Sequence, residues 1–147
     1  SSEINSLTEE AERIADDKVP MSIYLCGLVY RIQRNWNEAE KWFQRYAKNH
    51  PYNPNVWLDL TLTQGMQKKF AEAFSSALRA YELAPENPGS LGNLARMYME
   101  LGQLDEAQKF IKRAISFDPQ NKDIQCVQGM IAKRLEEKTG KEMPAER

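Results

Sequence analysis

Side chains capable of chemistry are scattered along this chain, and few of them converge. His50 is the only histidine and stands beside Pro51 in a stretch that reads as a loop. A lone imidazole without a second histidine or neighbouring cysteines cannot complete a zinc site, so His50 is expected to be a turn residue. The two cysteines, Cys26 and Cys126, are a hundred positions apart and make no metal-ligand spacing. No glycine-rich phosphate loop and no GxSxG-type nucleophile turn occurs. Carboxylates are plentiful, notably Glu9-Glu10 and Glu136-Glu137, but they alternate with Lys and Arg in the pattern of a solvated helix face. On these grounds no catalytic residue, metal ligand or cofactor is assigned, and the chain is not expected to be an enzyme.

The elements that carry these residues must therefore be read for what they hold together. The 147 residues suffice for one domain with a continuous core, 41% of them hydrophobic and 28% charged, as is ordinary for a globular chain. Twenty basic side chains nearly cancel 21 acidic ones, leaving no field to attract nucleic acid or an anionic membrane. Apolar runs are far shorter than the roughly 20 residues a membrane span needs, so direct insertion is not expected. The chain opens Ser1-Ser2-Glu3 without an initiator methionine. That start points to a processed chain or an excised segment, in which case a missing leader says little about compartment.

A repeat supplies the organisation. Pro51, Pro85 and Pro119 are 34 residues apart, as are Pro20, Pro54 and Pro88, and as are Ala39, Ala73 and Ala107. Between the markers the apolar residues fall at helical spacing. Leu91, Leu94, Ala95, Tyr98 and Leu101 form one stripe, Gly102-Gln103 interrupts it, and Ala107, Phe110, Ile111, Ala114 and Ile115 form the next. The same helix, turn, helix reading holds for Trp57 to Gln64 followed by Phe70 to Ala80, and for Ile23 to Tyr30 followed by Trp36 to Tyr46. Proline closes each second helix, because its ring disfavours helix at the residue before it.

With this period and these residues the chain resembles the tetratricopeptide repeat (TPR) family, whose pattern runs W-x2-L-G-x2-Y, A-x3-F, P. Trp57 and Leu60, Gly27 and Tyr30, and Leu94 and Tyr98 occupy pattern positions. Gly27, Thr61, Ala95 and Gly129 take the small position where helices cross closely. Tyr46 and Ala77 depart from the pattern and imply local repacking only. The resemblance implies an all-α fold, a right-handed α-α superhelix of about three full repeats with flanking cap helices. The expected divisions are an N-terminal helix in 1–19, repeats in 20–53, 54–87 and 88–121, a capping helix in 122–139 and a polar tail in 140–147. Such a solenoid would hold Cys26 and Cys126 too far apart for a disulfide. Two unpaired cysteines point to a reducing compartment such as the cytoplasm.

The resemblance also implies a working surface. Family members line a concave groove with their first helices, and the matching positions here include Tyr24, Leu28, Arg31, Leu58, Leu62, Met66, Asn93, Arg96 and Met99. The first two repeats would make an apolar floor; the third would leave room at Gly89 and Gly92 beside an Arg96–Glu100 pair. This implies a non-catalytic module that binds a protein or peptide through apolar anchors. Family members that hold Hsp70 or Hsp90 tails use a carboxylate clamp, whose positions fall here on Tyr24, Leu28, Asp59, Gly89 and Asn93. None supplies the clamp, so that ligand is disfavoured. Two alternatives stay open: an accessory region of a larger enzyme, such as a TPR-bearing glycosyltransferase, and a self-assembling scaffold that buries its apolar faces between copies.

Overall fold

The computed structural model describes residues 2–142. Eight helices follow one another among them: α1 (Ser2–Ile14), α2 (Pro20–Ile32), α3 (Trp36–Asn49), α4 (Pro54–Met66), α5 (Phe70–Leu83), α6 (Pro88–Glu100), α7 (Leu104–Phe117) and α8 (Lys122–Glu142). No strand occurs among the described residues; Asp16 and Val19 form only an isolated bridge between α1 and α2. α8 runs past 139, the expected end of the capping helix, so the segment expected as a polar tail over 140–147 begins inside the helix. Residues 143–147 lie outside the described residues.

The period visible in the prolines recurs in the chemistry of the joints. Asn53 and Asn87 cap α4 and α6, each side chain accepting from a backbone N–H of the first turn, and Asn121 does the same for Ile124 N at 3.1 Å. An asparagine oxygen there satisfies one of the donors that a helix start leaves without a partner. Proline follows two of these caps, where its missing N–H costs nothing. At the other end of each first helix the chain turns through a left-handed residue: Arg34 (φ 59°), Lys68 (φ 61°) and Gly102 (φ 79°). Each turn is closed by the same backbone bond, from Asn35 N to Tyr30 O, Lys69 N to Gln64 O and Gln103 N to Tyr98 O, the arrangement that ties off a helix C-terminus.

The chain divides into two compact units, one through Leu83 and one from Ala84. In the first, α3 packs on both α2 and α4, and α4 on α5. Its core gathers Ile23, Tyr24, Ala39, Phe43, Tyr46, Ala47, Val56 and Leu60. Gly27 is required there: a Cβ would stand 2.5 Å from Phe43 Cε1. α1 docks on α2 through Ala11, Cys26 and Val29. A polar clasp reinforces it, with Gln33 donating to Thr8 Oγ1 and Ile4 O and Tyr30 donating to Glu12. That carboxylate pushes the Tyr30 phenol up to about 12, burial adding to the effect.

The second unit packs α6, α7 and α8 against one another, burying Leu91, Leu94, Ala107, Ile111, Ile124 and Ile131. Here two expectations are corrected. The room expected at Gly92 is filled, because Ile124 Cγ1 of α8 lies 3.3 Å from where a Cβ would stand. Gly129 shares the repeat position of Gly27, yet a Cβ there would meet nothing within 4 Å. Among the described residues nothing packs against α8 at that point, so the small residue is not forced by packing.

Candidate functional site

The first unit holds a pocket of about 420 Å³ lined by Met21, Tyr24, Leu28, Arg31, Asn53, Asn55, Leu58 and Asp59. α2 supplies one wall and α4 the other, because residues four and seven apart on a helix share a face. Met21, Leu28 and Leu58 make it apolar. Asn53 is held at the rim twice over: its amide donates to Tyr46 Oη at 2.9 Å and its oxygen caps α4.

The polar floor is a three-residue cluster. Tyr24 donates its hydroxyl to Asp59, and Arg31 Nη1 donates to the other Asp59 oxygen at 2.9 Å. Arg31 is 38% exposed at its side chain and Asp59 only 12%, so the negative end of the pair points inward and the positive end outward. Burial pushes the Asp59 carboxyl up, a shift that Tyr24 and Arg31 hold in check. Burial, aided by Asp59, also pushes the Tyr24 phenol up. Both Asp59 oxygens are occupied, while Arg31 keeps further donors facing the opening.

The expected groove residues therefore meet different fates. Tyr24, Leu28, Arg31 and Leu58 come together around this pocket. Tyr24 is buried rather than an exposed floor residue. Its ring packs edge-on against Phe43 and Tyr46, and only its hydroxyl end serves the pocket. Leu62 is half-buried and Met66 exposed further along α4. In the second unit Asn93 and Arg96 are half-buried, and Arg96 Nε is a buried donor without a hydrogen-bond partner among the described residues. Met99 is 1% exposed and cannot serve an open groove. α8 packs over its helix, with Arg134 donating to Met99 O at 3.2 Å and pairing with Glu100 at 3.4 Å.

A second polar site had no sequence signal at all. Glu40 is 4% exposed and accepts from Gln44, Gln64, Gln67 and Lys69 at 2.9–3.2 Å. Ser76 joins by donating to Gln64 Oε1 at 2.6 Å. Burial works to raise this carboxyl, but the donors around it outweigh burial and hold it below its ordinary value. The cluster ties α3, α4 and α5 together. Its pattern in the sequence is that of surface charge, because Glu40 stands between Glu38 and Lys41 among the charged side chains of α3.

Among described residues, no group of His, Cys, Asp and Glu is placed to hold a metal ion, and no helix is long and apolar enough to cross a membrane. A family model described as tetratricopeptide repeat matches residues 66–131. Protein NPGR1 of Arabidopsis thaliana is 26% identical over 108 residues, 72% of this chain, which spans only 16% of that protein. The first TPR of Spaghetti (RPAP3), solved bound to an HSP90 peptide, superposes with a TM-score of 0.74 at 23% identity, covering 82% of this chain and 96% of that one. The Arabidopsis OM64 TPR domain gives 0.73 at 17% identity, with 79% and 96% covered. MamA from MSR-1 gives 0.74 at 18% identity, with 91% and 78% covered. At these identities the likeness to solved structures is one of fold.

Proposed function

We propose that this chain, which matches the tetratricopeptide repeat model over residues 66–131, presents its helix pairs to other proteins and that its first unit binds a partner peptide in the pocket between α2 and α4. The reading is non-catalytic. It rests on one observation above the others: an apolar pocket whose buried carboxylate is already neutralised by Tyr24 and Arg31, with the outward donors of Arg31 left to a ligand. An apolar side chain fits the walls formed by Met21, Leu28 and Leu58, and a peptide carbonyl or acidic side chain fits Arg31. Affinity then comes from side-chain burial, with Leu62 extending the contact along α4. On this reading a terminal carboxylate is not the recognised group, since Asp59 stands where the family's clamp would need a neutral donor.

Peptides selected on the whole chain by display supply the test. Leu58→Glu puts a second carboxylate beside Asp59 in the pocket wall, where an unpaired, desolvated charge costs several kcal/mol of binding, roughly a hundredfold or more in affinity. Because Leu58 is half-buried, the melting temperature is expected to fall by only a few degrees. Selected peptides that bind this folded variant as well as they bind the parent would move the site elsewhere.

A further inference from the structure

The turn at the end of each first helix carries more than its geometry requires. Gly102 takes the left-handed conformation without penalty, but Arg34 and Lys68 hold the same conformation with full side chains, which residues with a Cβ rarely adopt. Both side chains are exposed, and neither is ion-paired among the described residues. Two positions before each stands an exposed apolar residue: Ile32, 64% exposed, and Met66, 43% exposed. These pairs are equivalents, 34 residues apart. α2 and α4 both pack on α3 and are bridged through Asp59 by Tyr24 and Arg31, so their C-terminal turns lie on one edge of the unit. The neighbouring residues are committed elsewhere, Gln67 and Lys69 to Glu40 and Gln33 to α1.

We propose that this edge is a docking surface for an extended acidic peptide segment in which apolar and acidic side chains alternate. The apolar rail is Ile32 and Met66; the basic rail is Arg34 and Lys68. Charge complementarity selects the partner, since two cations with no counter-ion among the described residues sit beside apolar surface that a second cationic or purely polar segment could not use. An extended chain turns successive side chains to opposite sides, which lets one segment address both rails at once. The surface is separate from the pocket and does not depend on its occupancy.

The test turns on the strain. Arg34→Gly with Lys68→Gly removes both charges while placing at each turn the residue that prefers it, so the double variant is expected to melt no lower than the parent. The probe is a labelled, end-blocked octapeptide alternating leucine and glutamate, followed by fluorescence anisotropy against the whole chain. The double variant is expected to bind it about tenfold or more weakly, added salt to weaken the parent's binding, and Leu58→Glu to leave it within about twofold. A probe with lysine in place of glutamate is expected not to bind. Equal binding by the double variant, equal binding of the lysine probe, loss of binding confined to Leu58→Glu, or no binding to the parent would each overturn the proposal.

Discussion

Glu40 shows how much one carboxylate can organise when it is buried among donors. Replacing it with alanine leaves the Gln64 amide without its acceptor, Gln67 with Thr63 O alone and Lys69 without its counter-ion, and is expected to cost about 3 kcal/mol near neutral pH. Its folded-state proton affinity lies below the ordinary value of 4.5. The stabilisation is therefore present above that value and is lost as pH falls through the depressed folded one. Asp59 acts in the opposite sense: its raised folded value means that its contribution is lost as pH rises, so the comparison must isolate Glu40. Urea unfolding of parent and Glu40→Ala near neutral pH and again at about pH 3.5 does so, and the gap in stability should narrow in acid. A gap of constant size would show that the Glu40 charge is not what the network holds. Neither carboxylate was legible as a buried partner in the sequence, because most of their donors come from distant parts of the chain and a glutamate between Ala39 and Lys41 looks like surface.

Between helices, the same residue type at the same repeat position does opposite things. Gly27 faces Phe43 so closely that any Cβ must displace the ring, whereas Gly129 faces open space. Gly27→Ala is therefore expected to destabilise by about 2 kcal/mol in spite of alanine's higher helix propensity. Gly129→Ala should stabilise by about 0.5–1 kcal/mol, because only propensity remains. Thermal melts of the two single variants decide it, and shifts of the same sign would refute the distinction. The helix pairs themselves were readable from proline, alanine and the apolar stripes, since these repeat with the backbone. Left-handed turns at Arg34 and Lys68 were not, because the sequence signals that conformation only where glycine stands, as at Gly102. Counting groove positions also failed at Met99 and Gly92, where α8 takes up the face that the count assumed to be open.

For the molecule as a whole, the two units differ in what closes them. α1 is clasped to α2 in the first, while α8 completes the second by seating Ile124 over Gly92 and Arg134 over Met99. Truncation after Gln120 is expected to strip protection from α6 and α7 while α2 to α5 keep theirs, since a repeat is stabilised mainly by its neighbours. Hydrogen exchange resolved by helix measures this, and uniform loss across the chain would argue for a single cooperative block instead. The asparagine joints carry a different consequence. Asn53 precedes Pro54 and Asn87 precedes Pro88, each asparagine capping the helix that its proline begins. A tandem duplication of the gene segment encoding 54–87 would join Asn87 to Pro54 and so recreate the joint it interrupted. Deletion of the same segment would join Asn53 to Pro88, again unaltered in kind. A change in repeat number by such a single recombination event thus leaves the asparagine–proline junction at the new joint chemically intact.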